Sequence, residues 1–106
     1  MDANLHIHVH GQGLEVGPPL RGMVEDRVRE ALGHLADKLT RVEVHLRDLN
    51  ADKGGVDKRC VCEARPRGMD PIAAEHEAED VGEAVQGAVG KLVRALRHRF
   101  DRRDWH

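Results

Sequence analysis

The chain has 106 residues, of which 40% are hydrophobic and 34% charged, and its formal net charge is -2. This length predicts one domain spanning residues 1–106, and one Phe, one Trp and no Tyr require an aliphatic core. No apolar run approaches the roughly 20 residues that cross a bilayer. Residues Met1–Asn4 lack the basic flank and apolar stretch of a signal peptide. These features exclude a membrane-spanning protein, and we expect a cytoplasmic protein without a membrane partner.

The first half of the chain is predicted to form a strand, a helix and a second strand. Asn4–His10 alternates between apolar and histidine residues, as a half-buried strand does, and Gly11-Gln12-Gly13 is expected to end it. Pro18 and Pro19 open a helix whose apolar stripe continues to Leu39. Thr40–Asp48 alternates again, with its apolar residues facing inward. The inward set of these two strands is Leu5, Ile7, Val9, Val42, Val44 and Leu46.

The second half is predicted to form two further strands and a long helix. Leu49–Lys58 contains Gly54-Gly55 and is expected to connect two strands. Strands follow at Arg59–Arg65 and Ile72–Glu77, and Asp80 is placed to cap a helix that runs to Arg103. The inward residues of these strands are Cys60, Cys62, Ala64, Ile72, Ala74 and His76.

This order predicts an α+β fold of the type β-α-β-β-β-α. A strand-helix-strand unit favours parallel pairing of its two strands, whereas short connections favour antiparallel hairpins among the last three. Two amphipathic helices bury their stripes most simply on one face of the resulting four-stranded mixed sheet. The other face then carries charged residues and histidines, which suits solvent.

The last helix combines an apolar stripe with a basic end. Six basic and two acidic residues give +4 over Lys91–Asp104, so the rest of the chain carries about -6. Helical spacing places Lys91, Arg94 and Arg102 on one side, with Arg97 on the flank of that row. From charge alone, two interpretations stay open. The cations contact phosphates, as Lys and Arg do in nucleic-acid complexes, or they form a solvated helix end that complements the helix dipole.

Four histidines suggest an alternative function. His6, His8 and His10 share one strand face, and His45 is expected beside them on the next strand. Imidazoles spaced in this way are able to share a transition metal such as Zn²⁺, and their protonation would make the face cationic. A metal- or pH-responsive binding protein is therefore the alternative. Exposed imidazoles on an open sheet, without a metal, are the simpler interpretation.

No catalytic constellation is visible in the sequence. The chain contains no serine, and its two cysteines lie at i, i+2 within a strand, which favours buried, reduced thiols over a redox pair. The glycines Gly54-Gly55 lack the context of a nucleotide-binding loop. No set of nucleophile, base and orienting group can be assembled, so we expect no enzymatic activity and no cofactor.

Three segments carry a resemblance to a known family. They are V-E-V-H-L at Val42–Leu46, G-G-V-D-K-R-C at Gly54–Cys60 and K-L-V-R-A-L at Lys91–Leu96. Together they resemble the ribosome hibernation-promoting factor and ribosome-associated inhibitor family, and the predicted order of elements matches as well. The resemblance covers nearly the whole chain and is closest to the short members of that family.

The resemblance implies a non-enzymatic factor that binds the small ribosomal subunit near the decoding channel and silences translation during stress or stationary phase. The family contacts rRNA with basic residues on both helices. The matching positions are Arg21, Arg27, Lys91 and Arg94, and a further basic run of the family falls here on Arg97, Arg99 and Arg102. The implied partners are the small subunit and its rRNA. DNA is not an implied partner, and a monomer is expected away from the ribosome.

Overall fold

The computed structural model describes residues 5–49 and 56–104, which form a four-stranded sheet and two α-helices. The strands are β1 (Ile7–Gln12), β2 (Leu39–Asp48), β3 (Lys58–Pro66) and β4 (Ile72–Ala78). The helices are α1 (Pro18–Leu32) and α2 (Val81–Asp104), and a short 3₁₀ helix (Gly33–Lys38) joins α1 to β2. The predicted β-α-β-β-β-α order is confirmed.

The sheet is mixed and its strands follow chain order, β1-β2-β3-β4. β1 lies parallel to β2, with Val9 opposite Val44 and His10 opposite His45. β2, β3 and β4 are joined as antiparallel neighbours, and Cys62 lies opposite Val44 on one side and Ala74 on the other. The predicted pairing directions are therefore confirmed, and so is the register that turns the apolar residues of β2 and β3 to one face.

Both helices pack on that apolar face of the sheet. α2 lies over β3 and β4, and α1 lies beside α2 and contacts β1. The core is aliphatic, as the scarcity of aromatic residues requires. Its fully buried members are Val24, Val28, Leu32, Val42, Val44, Cys60, Cys62, Ala64, Ala84, Val85, Ala88, Leu92 and Leu96. The opposite face of the sheet is open, so the fold presents two chemically different sides: a helix layer and a polar strand surface.

The ends of the helices follow local rules. Gly17 stands directly before α1, and the two prolines take its first positions, where a missing backbone N–H costs nothing. Asp80 stands directly before α2 and its carbonyl accepts a hydrogen bond from the amide of Ala84, as predicted for a capping position. No helix among the described residues is long and apolar enough to cross a membrane.

The prediction that the first helix continues to Leu39 is wrong. α1 ends at Leu32, and the chain tightens into the 3₁₀ helix before β2 begins at Leu39. Gly33, with its low helix propensity, lies at the transition. The narrower 3₁₀ turn still buries Leu35 and Ala36, so the apolar spacing looked helical although the backbone geometry changes.

The first strand is shifted towards the C-terminus relative to the prediction. β1 pairs with β2 from Ile7 to Gln12, so Gly11 and Gln12 belong to the strand rather than ending it. The chain turns at Gly13, whose φ of 79° lies in the left-handed region that glycine tolerates. The predicted start at Asn4 lies outside the described residues. Pairing with the long strand β2 thus extends β1 beyond its alternating pattern.

Candidate nucleic-acid interface

One row of basic side chains follows the solvent side of α2. Lys91, Arg94 and Arg102 are exposed, as is His98 between them, whereas Leu92 and Leu96 on the opposite side are fully buried. Eleven residues separate Lys91 from Arg102, which corresponds to about 16 Å along the helix axis. The predicted row of cations on the outer side of the helix is therefore present in the structure.

Two of the predicted cations reach towards the sheet. The Lys91 Nζ donates a hydrogen bond to the backbone carbonyl of Glu75 at 3.1 Å. The Arg99 Nη1 donates to the carbonyl of Asp70 at 2.6 Å. Both acceptors are neutral, so these bonds position the cations along the β4 side of α2 without an ion pair that would offset their charge.

Two other predicted arginines lie where α2 meets α1 and the 3₁₀ helix. The Arg27 Nη1 donates to the Gln86 Oε1 at 3.2 Å, and the Arg97 Nη2 lies 3.3 Å from the His34 Nε2. Gln86 precedes Arg97 on α2, and Arg27 on α1 precedes His34 in the 3₁₀ helix after it, so α1 and α2 run in the same direction. Arg21, in the first turns of α1, therefore lies at the opposite end of the helix layer from Arg97. The predicted set extends along the whole layer.

Lys38 and Arg67 also belong to the basic end, although the sequence reasoning missed them. The Lys38 Nζ lies 5.0 Å from the centre of the Phe100 ring, within cation–π range. The Arg67 Nε donates to the carbonyl of Asp37 at 3.1 Å, and its amide donates to the carbonyl of Lys38 at 2.9 Å. Lys38 ends the 3₁₀ helix and Arg67 begins the turn between β3 and β4. Neither belongs to a periodic helix face. Tertiary contacts bring Lys38 to Phe100 of α2 and join Arg67 to Asp37 and Lys38.

Charges are distributed differently on the two sides of the molecule. Among the side chains that the structure describes, in residues 5–49 and 56–102, no ion pair is formed by any of the cations just described: Arg21, Arg27, Lys38, Arg67, Lys91, Arg94, Arg97, Arg99 and Arg102. On the open sheet face, by contrast, arginines pair with neighbouring carboxylates. The pairs are Arg41–Glu43 at 2.8 Å, Arg65–Glu63 at 3.4 Å and Arg59–Glu75. The charge of these nine side chains is therefore not offset by ion pairs, whereas three arginines of the sheet face are paired locally.

Comparison with known proteins agrees with this fold and with the resemblance noted in the sequence. The sequence profile of the family described as "Sigma 54 modulation protein / S30EA ribosomal protein" matches residues 7–104. The chain belongs to this family. It is the family of hibernation-promoting factors, so the predicted relationship is confirmed, and its members are ribosome-associated proteins.

Two solved structures illustrate how far the similarity of this S30EA-family chain extends. A ribosomal subunit interface protein from Coxiella burnetii superposes with a TM-score of 0.77 at 22% identity, over 92% of this chain and 99% of that chain. The N-terminal domain of Thermus thermophilus Protein Y gives a TM-score of 0.70 at 23% identity, over 91% and 98%. At these identities the likeness concerns the fold. Comparison with curated protein sequences gives no match.

The other sequence features of the S30EA-family chain are located as follows. Gly54 and Gly55 lie outside the described residues. Lys58, which follows them, is held by Asp57 at 2.8 Å, and this hydrogen bond raises its pKa above the usual value. Cys60 and Cys62 are free, buried thiols, and burial raises the pKa of Cys60 to about 12 and that of Cys62 further still. These thiols are un-ionised at neutral pH and face the core, which disfavours a nucleophilic role.

The predicted histidine face divides into two parts. His10 and His45 lie opposite each other on β1 and β2, and their rings stack with centroids 4.8 Å apart. His6 and His8 are exposed on the same side of the sheet, but they are not part of this pair. His76 was predicted to face inward. It is half-buried between β4 and α2, where its ring lies against Gly87.

Proposed function

We propose that this protein is a non-enzymatic factor that binds the small ribosomal subunit near the decoding channel and silences translation during stress or stationary phase. Family membership supports association with the ribosome, and the fold provides a helix layer suited to contact with rRNA. Occupying the channel would block messenger and transfer RNA sterically, so the mechanism needs no turnover and no cofactor.

The observation that carries the proposal is the set of unpaired cations on the helix layer. A phosphate backbone attracts Lys and Arg side chains whose charge is not already offset by carboxylates, and arginine donates two parallel hydrogen bonds to one phosphate. Arg94, Arg97 and Arg102 are exposed on α2 and form no ion pair with any described residue. We assign them, together with Arg21, Arg27, Lys91 and Arg99, to contacts with rRNA. Lys38 and Arg67 extend the same surface.

The charges within this layer also favour one orientation on the ribosome. Asp26 is exposed on α1, and Glu83 is exposed in the first turn of α2. The basic side chains concentrate instead in the second half of α2 and in the segments beside it. Because phosphates repel carboxylates, the basic end of the layer approaches rRNA most closely, and Arg21 would be the contact at the other end.

The test compares two variants that remove the same charge from opposite sides of the protein. In the first, Arg94, Arg97 and Arg102 are replaced by Gln. In the second, Arg41, Arg59 and Arg65 on the sheet face are replaced by Gln. Each variant has three fewer positive charges than the natural chain, so any effect of net charge is the same in both. Binding to purified small subunits is measured by co-sedimentation across a salt series, and silencing is measured in a cell-free translation reaction.

We expect the α2 variant to bind weakly and to lose silencing, while the sheet variant binds as the natural chain does. Each phosphate contact contributes about 0.7–0.9 to the slope of log affinity against log salt, so three lost contacts reduce that slope by about 2–3. Equal binding of the two variants, with equal salt slopes, would refute the assignment of the interface. If the natural chain failed to bind small subunits at all, the proposed function itself would be wrong.

A further inference from the structure

A second site lies on the open sheet face, away from the helix layer. His10 and His45 are partners across the parallel strands β1 and β2, and Glu43 precedes His45 by two residues on the same face of β2. The His10 Nε2 lies 3.4 Å from the Glu43 Oε1, and the His45 Nε2 lies 3.7 Å from the same oxygen. Three side chains from two neighbouring strands thus direct one potential ligand atom each to a common point.

The spacing of these atoms suits a transition-metal ion. Bonds of about 2.0–2.2 Å from zinc to nitrogen and oxygen in a tetrahedral site place two ligand atoms about 3.4 Å apart. The two nitrogen–oxygen distances are close to that value, and all three ligand atoms lie within 4.8 Å of one another. The rings now stack at an interplanar angle of 15°. Since both imidazoles are about half exposed, small rotations suffice to turn their nitrogens towards one ion.

The carboxylate is the fixed member of the group. The Glu43 side chain is only 17% exposed, and its second oxygen, Oε2, forms an ion pair with the Arg41 Nη2 at 2.8 Å. This contact orients the carboxylate and leaves Oε1 directed at the imidazoles. Burial alone would raise the pKa of Glu43, but the nearby cations Arg41 and Arg65 outweigh it and hold the pKa below its usual value.

We propose that His10, Glu43 and His45 form a binding site for a divalent transition-metal ion such as Zn²⁺. Two imidazoles and one carboxylate are a ligand set that zinc accepts, with a fourth position left for water. Beside the two histidines the surface opens into a hollow of about 480 Å³ that Arg47 and Arg59 also line, so an exchangeable ligand has room to enter. The ion would bind on the side opposite the helix layer, and its binding does not depend on the proposed ribosome interface.

The first experiment titrates the full chain, after treatment with a chelator, with zinc. Binding is followed by calorimetry and by the NMR signals of the imidazole nitrogens. We expect saturation at one equivalent, with the His10 and His45 signals shifting together and before those of His6, His8 and His98. Magnesium serves as the control ion, because it prefers all-oxygen sites and should leave the imidazole signals unchanged.

Variants then distinguish a built site from scattered surface histidines. His10→Ala, His45→Ala and Glu43→Gln should each weaken zinc binding at least about tenfold. The matched controls are His6→Ala, which removes an exposed imidazole from the same face, and His98→Ala, which removes one from α2. Both should bind zinc as the natural chain does. Zinc binding that does not saturate at one equivalent, or equal losses in the control variants, would overturn the proposal. If a site variant fails to fold, the order of NMR shifts in the natural chain decides the question.

Discussion

The close contact between α2 and β4 at Gly87 predicts the direction in which a substitution there changes the free energy of unfolding. A Cβ atom added at Gly87 would lie 2.2 Å from the His76 Cδ2 and 2.3 Å from its Cγ. Carbon atoms in normal contact are about 3.5–4.0 Å apart, so the ring would have to move by more than about 1 Å. Gly87 therefore provides the space in which the half-buried His76 ring packs against the helix.

Two opposing effects determine the cost of Gly87→Ala. Alanine stabilises a helix interior by about 1 kcal/mol relative to glycine. Forcing an extra methyl group into a packed contact costs about 1–3 kcal/mol. We expect Gly87→Ala to lower the free energy of unfolding, or at best to leave it unchanged. In a His76→Ala background the contact is absent, and the same substitution should instead raise the free energy of unfolding by about 1 kcal/mol.

The assay is urea denaturation of the four proteins of this double-mutant cycle, followed by circular dichroism. The coupling energy between the two sites should be about 1–3 kcal/mol, the difference between the two backgrounds. Gly22→Ala in α1 is the matched control, since a Cβ there meets no other atom within 4 Å. That substitution should stabilise the protein. If Gly87→Ala stabilised the natural chain as much as Gly22→Ala does, the described packing of His76 on α2 would be wrong.

Three further predictions concern the core. Leu92 is fully buried, so Leu92→Ala should lower the free energy of unfolding by about 2–5 kcal/mol in the same urea assay, whereas a cost below 1 kcal/mol would contradict its place in the core. The thiols Cys60 and Cys62 should react slowly with Ellman's reagent in the native protein at pH 8 and rapidly in urea. Because burial raises their folded pKa values above the unfolded value, their contribution to stability is complete below about pH 8.5 and declines as pH rises towards 12. The decline is about 1.4 kcal/mol per pH unit for each thiol. A variant with both cysteines changed to Ala should lack this pH-dependent decline. If the free energy of unfolding fell equally steeply with pH in both proteins, the prediction would be wrong.

Alternation of apolar and polar residues was sufficient to predict the sheet. In β2 and β3 the side chains of Val42, Val44, Cys60 and Cys62 face the core as expected, because a period of two permits only one register when one face is buried. Reasoning from helical spacing, in contrast, overestimated the length of the first helix. Leu35 continues the apolar spacing beyond Leu32 in a 3₁₀ geometry, and sequence spacing does not separate that geometry from an α-helix over a few residues.

The candidate site was only partly predictable for a related reason. Residues on α2 follow helical periodicity, so the exposure of Lys91, Arg94 and Arg102 could be inferred from the chain alone. Lys38 and Arg67 come from irregular segments. Long-range contacts bring Lys38 to Phe100 and Arg67 to the backbone of Asp37. In the same way, no spacing rule could select His10 and His45 from the four histidines of the sheet face. Their pairing depends on the register between β1 and β2.

An acidic protein with a basic end can still bind a polyanion if the opposing charges are far enough apart. Fourteen residues of α2 separate Glu83 from Arg97, about 21 Å along the helix, whereas the Debye length at physiological salt is about 8 Å. Phosphates close to Arg97 are therefore largely screened from the acidic start of the helix layer. On the sheet face, carboxylates such as Glu43 and Glu63 are paired locally with arginines, which limits the repulsion that they exert at a distance. The net charge of -2 is thus a poor guide to the proposed interface, because the field that rRNA would meet is set by the side chains within about one Debye length of it.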